Sequence, residues 1–166
     1  MTGSVELMES CIPALRRYAS ALLRDRQEVD DLVHDCLLRA LDRLHTRRGD
    51  AEMRPWLFAI MHNLYVTRAR QGRVRGLQAP IEDANLTVEG GQESRLHAQD
   101  VMEAVARLPE ELRSVLLLVT VEDLAYADVA KILGIPIGTV MSRLSRARER
   151  VRRDSQDPKA GRALSK

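Results

Sequence analysis

The spacing of apolar residues is the strongest constraint on the fold of this chain. Along most of its length, apolar side chains recur at i, i+3, i+4 and i+7, the period of an amphipathic helix. Seven segments show the pattern: residues 5–23, 28–45, 54–70, 97–107, 110–120, 124–133 and 138–152. The chain has only five aromatic residues and few β-branched runs, which disfavours a β-sandwich or barrel. The sequence therefore predicts an all-α protein.

Residues 71–95 separate the first three segments from the last four. This stretch contains four glycines and a proline and shows no sustained apolar period. We therefore predict two small helical domains joined by a flexible acidic linker. The predicted boundaries are 1–75 for the first domain, 76–95 for the linker, 96–153 for the second domain and 154–166 for a polar tail.

Charge is distributed unevenly, although the formal net charge is only +2. Residues 64–80 carry four arginines and no acid, whereas residues 82–111 carry eight acids against two arginines. Residues 138–153 carry six arginines against one acid. A charged run is usually only a solvated helix face, but two basic regions that flank an acidic one also suit nucleic-acid binding. The charge pattern leaves both interpretations open.

Several classes of function are disfavoured. No stretch approaches the roughly 20 apolar residues of a membrane span, and the N-terminal residues lack an apolar signal core, so we expect a cytoplasmic protein without membrane insertion. The four histidines lack metal-ligand spacing, and no nucleophile–base constellation or phosphate-binding glycine loop is present. We expect no enzymatic activity, catalytic residue, metal or cofactor. Cys11 and Cys36 occupy apolar helical positions, which favours buried thiols over a redox pair.

The segment 28–45 has the clearest amphipathic pattern. Its predicted core stripe consists of Val29, Leu32, Val33, Cys36, Leu37, Ala40, Leu41 and Leu44. At about 100° per residue, the opposite face carries Asp31, Asp35, Leu38 and Asp42. Leu38 is then either an isolated surface leucine or the centre of a small docking patch for another protein.

The last two segments have the pattern of a helix-turn-helix. A short amphipathic helix ends at Gly134, which can adopt the left-handed conformation of a helix stop, and Pro136 then restricts the turn. In the following helix, one stripe consists of Val140, Leu144, Ala147 and Val151, and the opposite face of Ser142, Ser145, Arg146, Glu149 and Arg153. Small polar and arginine side chains on that face suit a helix in the major groove. A two-helix hairpin with a solvated basic face is the alternative.

These segments resemble the extracytoplasmic-function (ECF) sigma factors of bacterial RNA polymerase. The stretches LPEELRSVL at 108–116, YADVAKILGIPIGTV at 126–140 and SRLSRAR at 142–148 are similar to the domain that reads the −35 promoter element. In the first domain, DDLVHD at 30–35 resembles the polymerase-binding helix, and RPWLFAI at 54–60 with Asn63 resembles the −10 melting helix. The resemblance covers about residues 8–75 and 96–153.

The resemblance implies a non-enzymatic alternative sigma factor, of the kind used in stress responses, that directs core RNA polymerase to promoter DNA. The first domain would dock on the clamp helices of the β′ subunit and melt the −10 element, and the second would contact the β flap and read the −35 duplex. The implied polymerase-binding residues are Asp31, Asp35, Leu38 and Asp42. The implied −10 residues are Trp56, Asn63, Arg68, Arg70 and Arg73. The implied −35 residues are Thr139, Ser142, Arg143, Ser145, Arg146 and Arg148.

The resemblance also implies an anti-sigma factor as a partner, wedged between the two domains. The acidic linker would thread towards the RNA exit path or would serve only as a solvated tether. Two other functions stay open: a sigma-like mimic that sequesters an anti-sigma factor without reading DNA, and an ordinary helix-turn-helix repressor. The retained arginines of the last helix argue against a mimic, and a repressor would leave the acidic face around Leu38 unexplained.

The sequence departs from the family pattern at the start of the helix-turn-helix. Asp123 and Ala125 stand where glycine and a capping serine are common, so we expect Asp123 or Asp128 to satisfy the free amides there. Met141 occupies a position in the last helix that is often basic, which predicts the loss of one DNA contact.

Overall fold

The computed structural model describes residues 2–47, 52–72 and 91–156. The helices are α1 (Thr2–Leu22), α2 (Arg26–Arg43), α3 (Met53–Arg70), α4 (Gln92–Arg107), α5 (Glu110–Leu116), α6 (Tyr126–Leu133) and α7 (Ile137–Gln156). A 3-10 turn, Leu44–Thr46, follows α2, and a π-helical turn, Leu117–Val121, continues α5. No strand occurs within these ranges, and the all-α prediction is confirmed.

Helices α1, α2 and α3 pack on one another and form the first lobe. Helix α2 begins after Asp25, whose side chain accepts hydrogen bonds from the backbone N–H groups of Gln27 and Glu28. This cap satisfies amides that have no partner inside the helix. The predicted stripe of α2 is buried from Val29 to Ala40, with Leu37 half-buried.

The prediction that Leu41 belongs to the core stripe is wrong, because its side chain is 47% exposed. On a helical projection it lies about 100° from the centre of the buried stripe and only about 60° from Leu38. Its apolar surface therefore adjoins that of Leu38, on the side of α2 that faces away from α1 and α3.

Helices α4 to α7 form the second lobe, in which α7 packs against α4, α5 and α6. Gly134 ends α6 with a φ of +66°, and the N–H of Ile135 donates to the carbonyl of Ala130, as predicted for a left-handed helix stop. Val140, Leu144 and Ala147 are buried, and Val151 is half-buried. The predicted inner stripe of α7 is therefore confirmed.

The chain between α5 and α6 has an unusual backbone. After the π-helical turn, Asp123 adopts a φ of +53°, in the left-handed region that favours glycine. Ala125 occupies the cap position of α6 without a side-chain hydrogen bond, and neither Asp123 nor Asp128 supplies the expected one. Asp128 lies in the first turn of α6, where its negative charge interacts favourably with the positive end of the helix dipole.

The two lobes contact each other directly. Helix α3 packs against α6, and buried apolar residues of both lobes belong to one continuous core. Helix α4 begins at Gln92, inside the segment assigned to the linker, and α7 continues to Gln156, past the predicted start of the tail. The predicted path of the linker depends on four acidic residues. Glu93 lies in the first turn of α4, whereas Glu82, Asp83 and Glu89 lie outside the described residues. The boundaries of the two domains and of the linker stay a prediction.

Both cysteines are free thiols. Cys36 is buried, its Sγ lies 3.6 Å from the carbonyl oxygen of Leu57, and burial raises the pKa of the thiol to about 12. Cys36 is therefore protonated at neutral pH, as expected for a structural thiol. Cys11 differs from the prediction because it is only half-buried.

Candidate functional site

Three carboxylates and two leucines form the exposed side of α2. The Leu38 side chain is 53% exposed and adjoins Leu41, and Asp31, Asp35 and Asp42 are all exposed around them. The predicted exposure of Leu38 is confirmed. We call this set the acidic docking face. A basic partner helix could bind this face in two ways: burial of the apolar pair would stabilise the contact, and the surrounding carboxylates would attract the positive charges of the partner.

Arg68 links the acidic docking face to α3. Its guanidinium is paired with the carboxylate of Asp35 and donates to the backbone carbonyl of Asp31 at 3.5 Å. The family resemblance predicts that Arg68 contacts −10 DNA and that the two aspartates contact polymerase. The structure brings all three together, so Arg68 orients Asp35 and partly neutralises its charge.

The other predicted −10 residues lie along α3. Asn63 and Arg70 are exposed, so both side chains are accessible to a partner, whereas Arg73 is outside the described residues. Trp56 is half-buried and packs partly against the core, which limits the surface that it can offer to a base. Asn63 is therefore the accessible amide on this helix, one residue after the half-buried His62.

The imidazole of His62 is expected to make stability depend on pH. Its Nδ1 is buried without a hydrogen-bond partner, and burial lowers the pKa of His62 from 6.5 to about 4. Between pH 4 and pH 6.5 the imidazole of His62 is protonated in the unfolded chain but neutral in the folded one. The contribution of His62 to stability is therefore fully present above pH 6.5 and is lost as the pH falls towards 4. We expect the free energy of unfolding to fall by about 2 kcal/mol from pH 7 to pH 5.

Urea unfolding at pH 7 and pH 5 measures this difference. A His62→Gln variant should lose most of it, whereas His97→Gln, at an exposed position of α4, should keep it. If the wild type and His62→Gln have the same pH dependence, His62 is not the responsible group.

The outward side of α7 carries the predicted −35 residues. Ser142, Ser145, Arg146 and Arg148 are exposed, and Thr139 is half-buried at the start of the helix. The hydroxyl of Ser142 donates to the carbonyl of Thr139 at 3.2 Å, which holds it close to the helix. Arg143 is mostly buried on the flank, 3.8 Å from the carboxylate of Glu111. The first half of α7 thus presents serines and arginines outward on a rigid, well-packed helix.

Sequence reasoning missed a buried ion-pair cluster between the lobes. Glu122 is only 1% exposed and accepts two hydrogen bonds from Arg17 of α1, at 2.9 and 2.8 Å. Its Oε2 also accepts one from Nη2 of Arg54 of α3 at 2.7 Å. The hydrogen bond to Glu122 raises the pKa of Arg17. We call these three residues the Glu122 clamp. The signal in the sequence was a carboxylate directly after the apolar run 115–121.

A second polar cluster lies where α1 of the first lobe approaches α5 of the second. Arg113 of α5 is almost fully buried, donates to the carbonyl of Ala106 at 3.1 Å, and leaves its Nε without a partner. The hydroxyls of Ser114 and of Tyr18 of α1 face each other and have no other hydrogen-bond partner. Burial raises the pKa of Tyr18 and lowers the pKa of Arg113. The contact between the lobes therefore contains many polar groups, several of them unsatisfied.

Two other kinds of site are absent from the part of the chain that the structure describes. Across residues 2–47, 52–72 and 91–156, no cluster of three or more His, Cys, Asp or Glu side chains has the arrangement of a metal site. None of the helices in the same ranges combines the length and hydropathy that a membrane span requires.

Comparison with known proteins identifies the family. Residues 98–151 match the family model described as sigma-70, region 4, and residues 8–62 match that described as the Sigma2 domain of PhyR. The ECF RNA polymerase sigma factor EcfG of Rhodopseudomonas palustris is 32% identical over 148 residues, which cover 86% of this chain and 79% of that protein. The chain belongs to the ECF family of RNA polymerase sigma factors.

Other ECF sigma factors have similar sequences and structures. SigM of Mycobacterium tuberculosis is 33% identical over 139 residues, which cover 84% of this chain and 70% of that protein. The sigma factor RpoE of Bartonella quintana, solved in complex with the anti-sigma factor NepR, is 28% identical with a TM-score of 0.76, covering 95% of this chain and 99% of that one. The region 4 match contains every predicted −35 residue, and the Sigma2 match contains the whole acidic docking face.

Proposed function

We propose that this chain is an alternative sigma factor that binds core RNA polymerase in the cytoplasm and directs it to a specific class of promoters. The observation that carries the proposal is the orientation of α7, which buries Val140, Leu144 and Ala147 and presents Ser142, Ser145 and Arg146 outward. A helix with this arrangement can enter a major groove while its domain stays intact. The acidic docking face supplies a separate surface for polymerase. No catalytic step is assigned to the chain.

Run-off transcription with core RNA polymerase on genomic fragments tests the proposal. We expect discrete transcripts that require the chain and that start downstream of a shared pair of −35 and −10 sequences. Absence of such transcripts, from a folded protein with active core enzyme, would reject it.

A sigma-like mimic is the second candidate, because the model that matches residues 8–62 is described as the Sigma2 domain of PhyR. A mimic would bind an anti-sigma factor and leave run-off transcription unchanged. The exposed arginines of α7 favour the sigma factor, since a mimic has no need of a DNA-reading helix. An anti-sigma factor is proposed as a partner in either case, and the structure of RpoE with NepR is the precedent.

Arg146 is expected to contact a base of the −35 element. It lies one turn beyond Ser142 on the exposed side of α7, from where a guanidinium can reach O6 and N7 of a guanine. Arg146→Ala should weaken binding of the holoenzyme to a matched −35 duplex by about 1–3 kcal/mol and relax the preference at one position. Arg143 and Arg148, on the flanks, are proposed to contact phosphates.

Affinities for matched and singly mismatched duplexes at several salt concentrations separate the two kinds of contact. Arg148→Ala is the comparison variant. It should weaken binding to all duplexes by the same factor and lower the slope of affinity against salt concentration by about one. A uniform loss for Arg146→Ala would show that Arg146 contacts a phosphate rather than a base.

Asn63 is expected to act on opened rather than duplex DNA. Its exposed amide can pair with the Watson–Crick edge of a base, and that edge is free only once the strands have separated. Asn63→Ala should reduce transcription from a closed −10 element and be partly rescued on a template with a pre-melted bubble. Thr67→Ala, one turn further along α3, is the control. Equal losses for Asn63→Ala on both templates would contradict this role.

A further inference from the structure

The Glu122 clamp links the two lobes through charged side chains. Glu122 belongs to the second lobe, whereas Arg17 and Arg54 belong to two different helices of the first. Three hydrogen bonds of 2.7–2.9 Å converge on one carboxylate that solvent does not reach. Charge-assisted hydrogen bonds of this length are strong, and loss of both arginines would leave the carboxylate of Glu122 buried and uncompensated. Closure of the lobes is therefore sensitive to this single carboxylate.

The surroundings of the Glu122 clamp indicate a separable contact rather than a permanent core. Arg54 Nε, within the clamp, is buried without a hydrogen-bond partner, as is Arg113 Nε at the contact between α1 and α5, where the hydroxyls of Tyr18 and Ser114 have no partner other than each other. Native interiors satisfy nearly all such groups, since each unsatisfied one is costly. When the lobes separate, water can hydrogen-bond to these atoms, which stabilises the open state. The free-energy difference between the closed and open states is therefore smaller than the buried apolar surface alone would give.

The closed arrangement conflicts with simultaneous reading of both promoter elements. The −10 and −35 elements lie about 25 base pairs apart, which is about 85 Å along B-form DNA. A compact chain of this length has a radius of gyration of about 15 Å and a diameter of about 40 Å. The predicted readers lie on α3 and α7, one in each lobe, so the lobes must separate before both elements can be contacted.

We propose that the Glu122 clamp is a latch that holds the free protein closed, and that its release lets the two lobes span the promoter. The proposal rests on the proposed sigma-factor function for its purpose, but the closure itself is a property of the free chain. The backbone that carries Glu122 fits this role. It follows a π-helical turn and precedes Asp123 at positive φ, and strained segments of this kind are found at functional sites.

Small-angle X-ray scattering of the full-length chain tests the latch. Glu122→Gln keeps the side-chain shape, removes the charge and leaves two arginines facing each other. We expect the radius of gyration to increase from about 15–17 Å to above 20 Å. Glu103→Gln is the matched control, because Glu103 pairs with Arg107 within α4 and makes no link between the lobes. An unchanged radius for a folded Glu122→Gln, or an equal increase for Glu103→Gln, overturns the proposal.

If circular dichroism shows that Glu122→Gln does not fold, a second variant tests the latch. Arg17 and Arg54 are both partly exposed, so Arg17→Gln with Arg54→Gln breaks the same latch with little effect on the core of the first lobe. The double variant should open to the same extent, and a compact, folded double variant overturns the proposal.

Affinity for core RNA polymerase provides the functional measurement. A protein held mostly closed binds with an apparent affinity reduced by its open fraction, so opened variants should bind core polymerase about tenfold more tightly or better. Open variants with wild-type affinity would overturn the regulatory role. Absence of core binding by the wild type and all variants would reject the sigma-factor function instead, and the scattering result would stand independently.

Discussion

A Leu38→Arg variant is expected to keep its fold and to lose most of its affinity for core RNA polymerase. Leu38 is half-exposed on α2, so an arginine there fits without displacing core residues. It removes the apolar centre of the acidic docking face and introduces a positive charge that opposes a basic partner. Loss of a central interface residue typically costs about 2 kcal/mol or more, which corresponds to about 30-fold in affinity.

Leu7→Arg is the matched control, because Leu7 is 54% exposed on α1 and lies outside the acidic docking face. Fluorescence anisotropy with labelled core polymerase measures affinity, and circular dichroism checks helicity. A folded Leu38→Arg protein that competes normally for core polymerase would remove Leu38 from the interface. An unfolded one would contradict its exposure.

Phe58→Ala is expected to lower the free energy of unfolding by about 3–5 kcal/mol. The ring is fully buried, meets the ring of Tyr18 edge to face with centroids 5.4 Å apart, and lies 5.9 Å from the guanidinium carbon of Arg54. The variant leaves a cavity where α1 and α3 meet and removes the aromatic surface beneath one arm of the Glu122 clamp.

Urea unfolding monitored by circular dichroism measures the loss. Leu7→Ala removes apolar atoms from an exposed site and should change the free energy of unfolding by less than about 0.5 kcal/mol. A loss below 1 kcal/mol for Phe58→Ala would show that the ring does not contribute to the core as the structure places it.

Much of the fold was predictable because each helix carries its own pattern. The inner stripe of α7, the left-handed stop at Gly134 and the exposure of Leu38 all follow from the period of 3.6 and from the conformational freedom of glycine. These properties depend on neighbours within a few positions. The family resemblance was equally local, since it rested on short stretches, and the comparisons bear it out.

Leu41 shows that the spacing of apolar residues does not by itself determine which of them are buried. It belongs to the apolar stripe by spacing, but it lies at the margin, and exposure there depends on whether a neighbouring helix reaches it. The contact between Arg68 and Asp35 has the same origin, because α2 and α3 must be packed before a pair 33 positions apart in the sequence can meet.

By itself, the sequence determined the helices, their inner faces, the helix-turn-helix and the family, since these depend on residue spacing and on short motifs. Only the tertiary structure decided that the lobes close on each other and that Glu122 meets Arg17 and Arg54, which are 105 and 68 positions away. It also decided that His62 is desolvated. The physical reason is that the burial of a charge and the identity of its partner depend on how separate helices pack, and no short-range pattern in the chain records that arrangement.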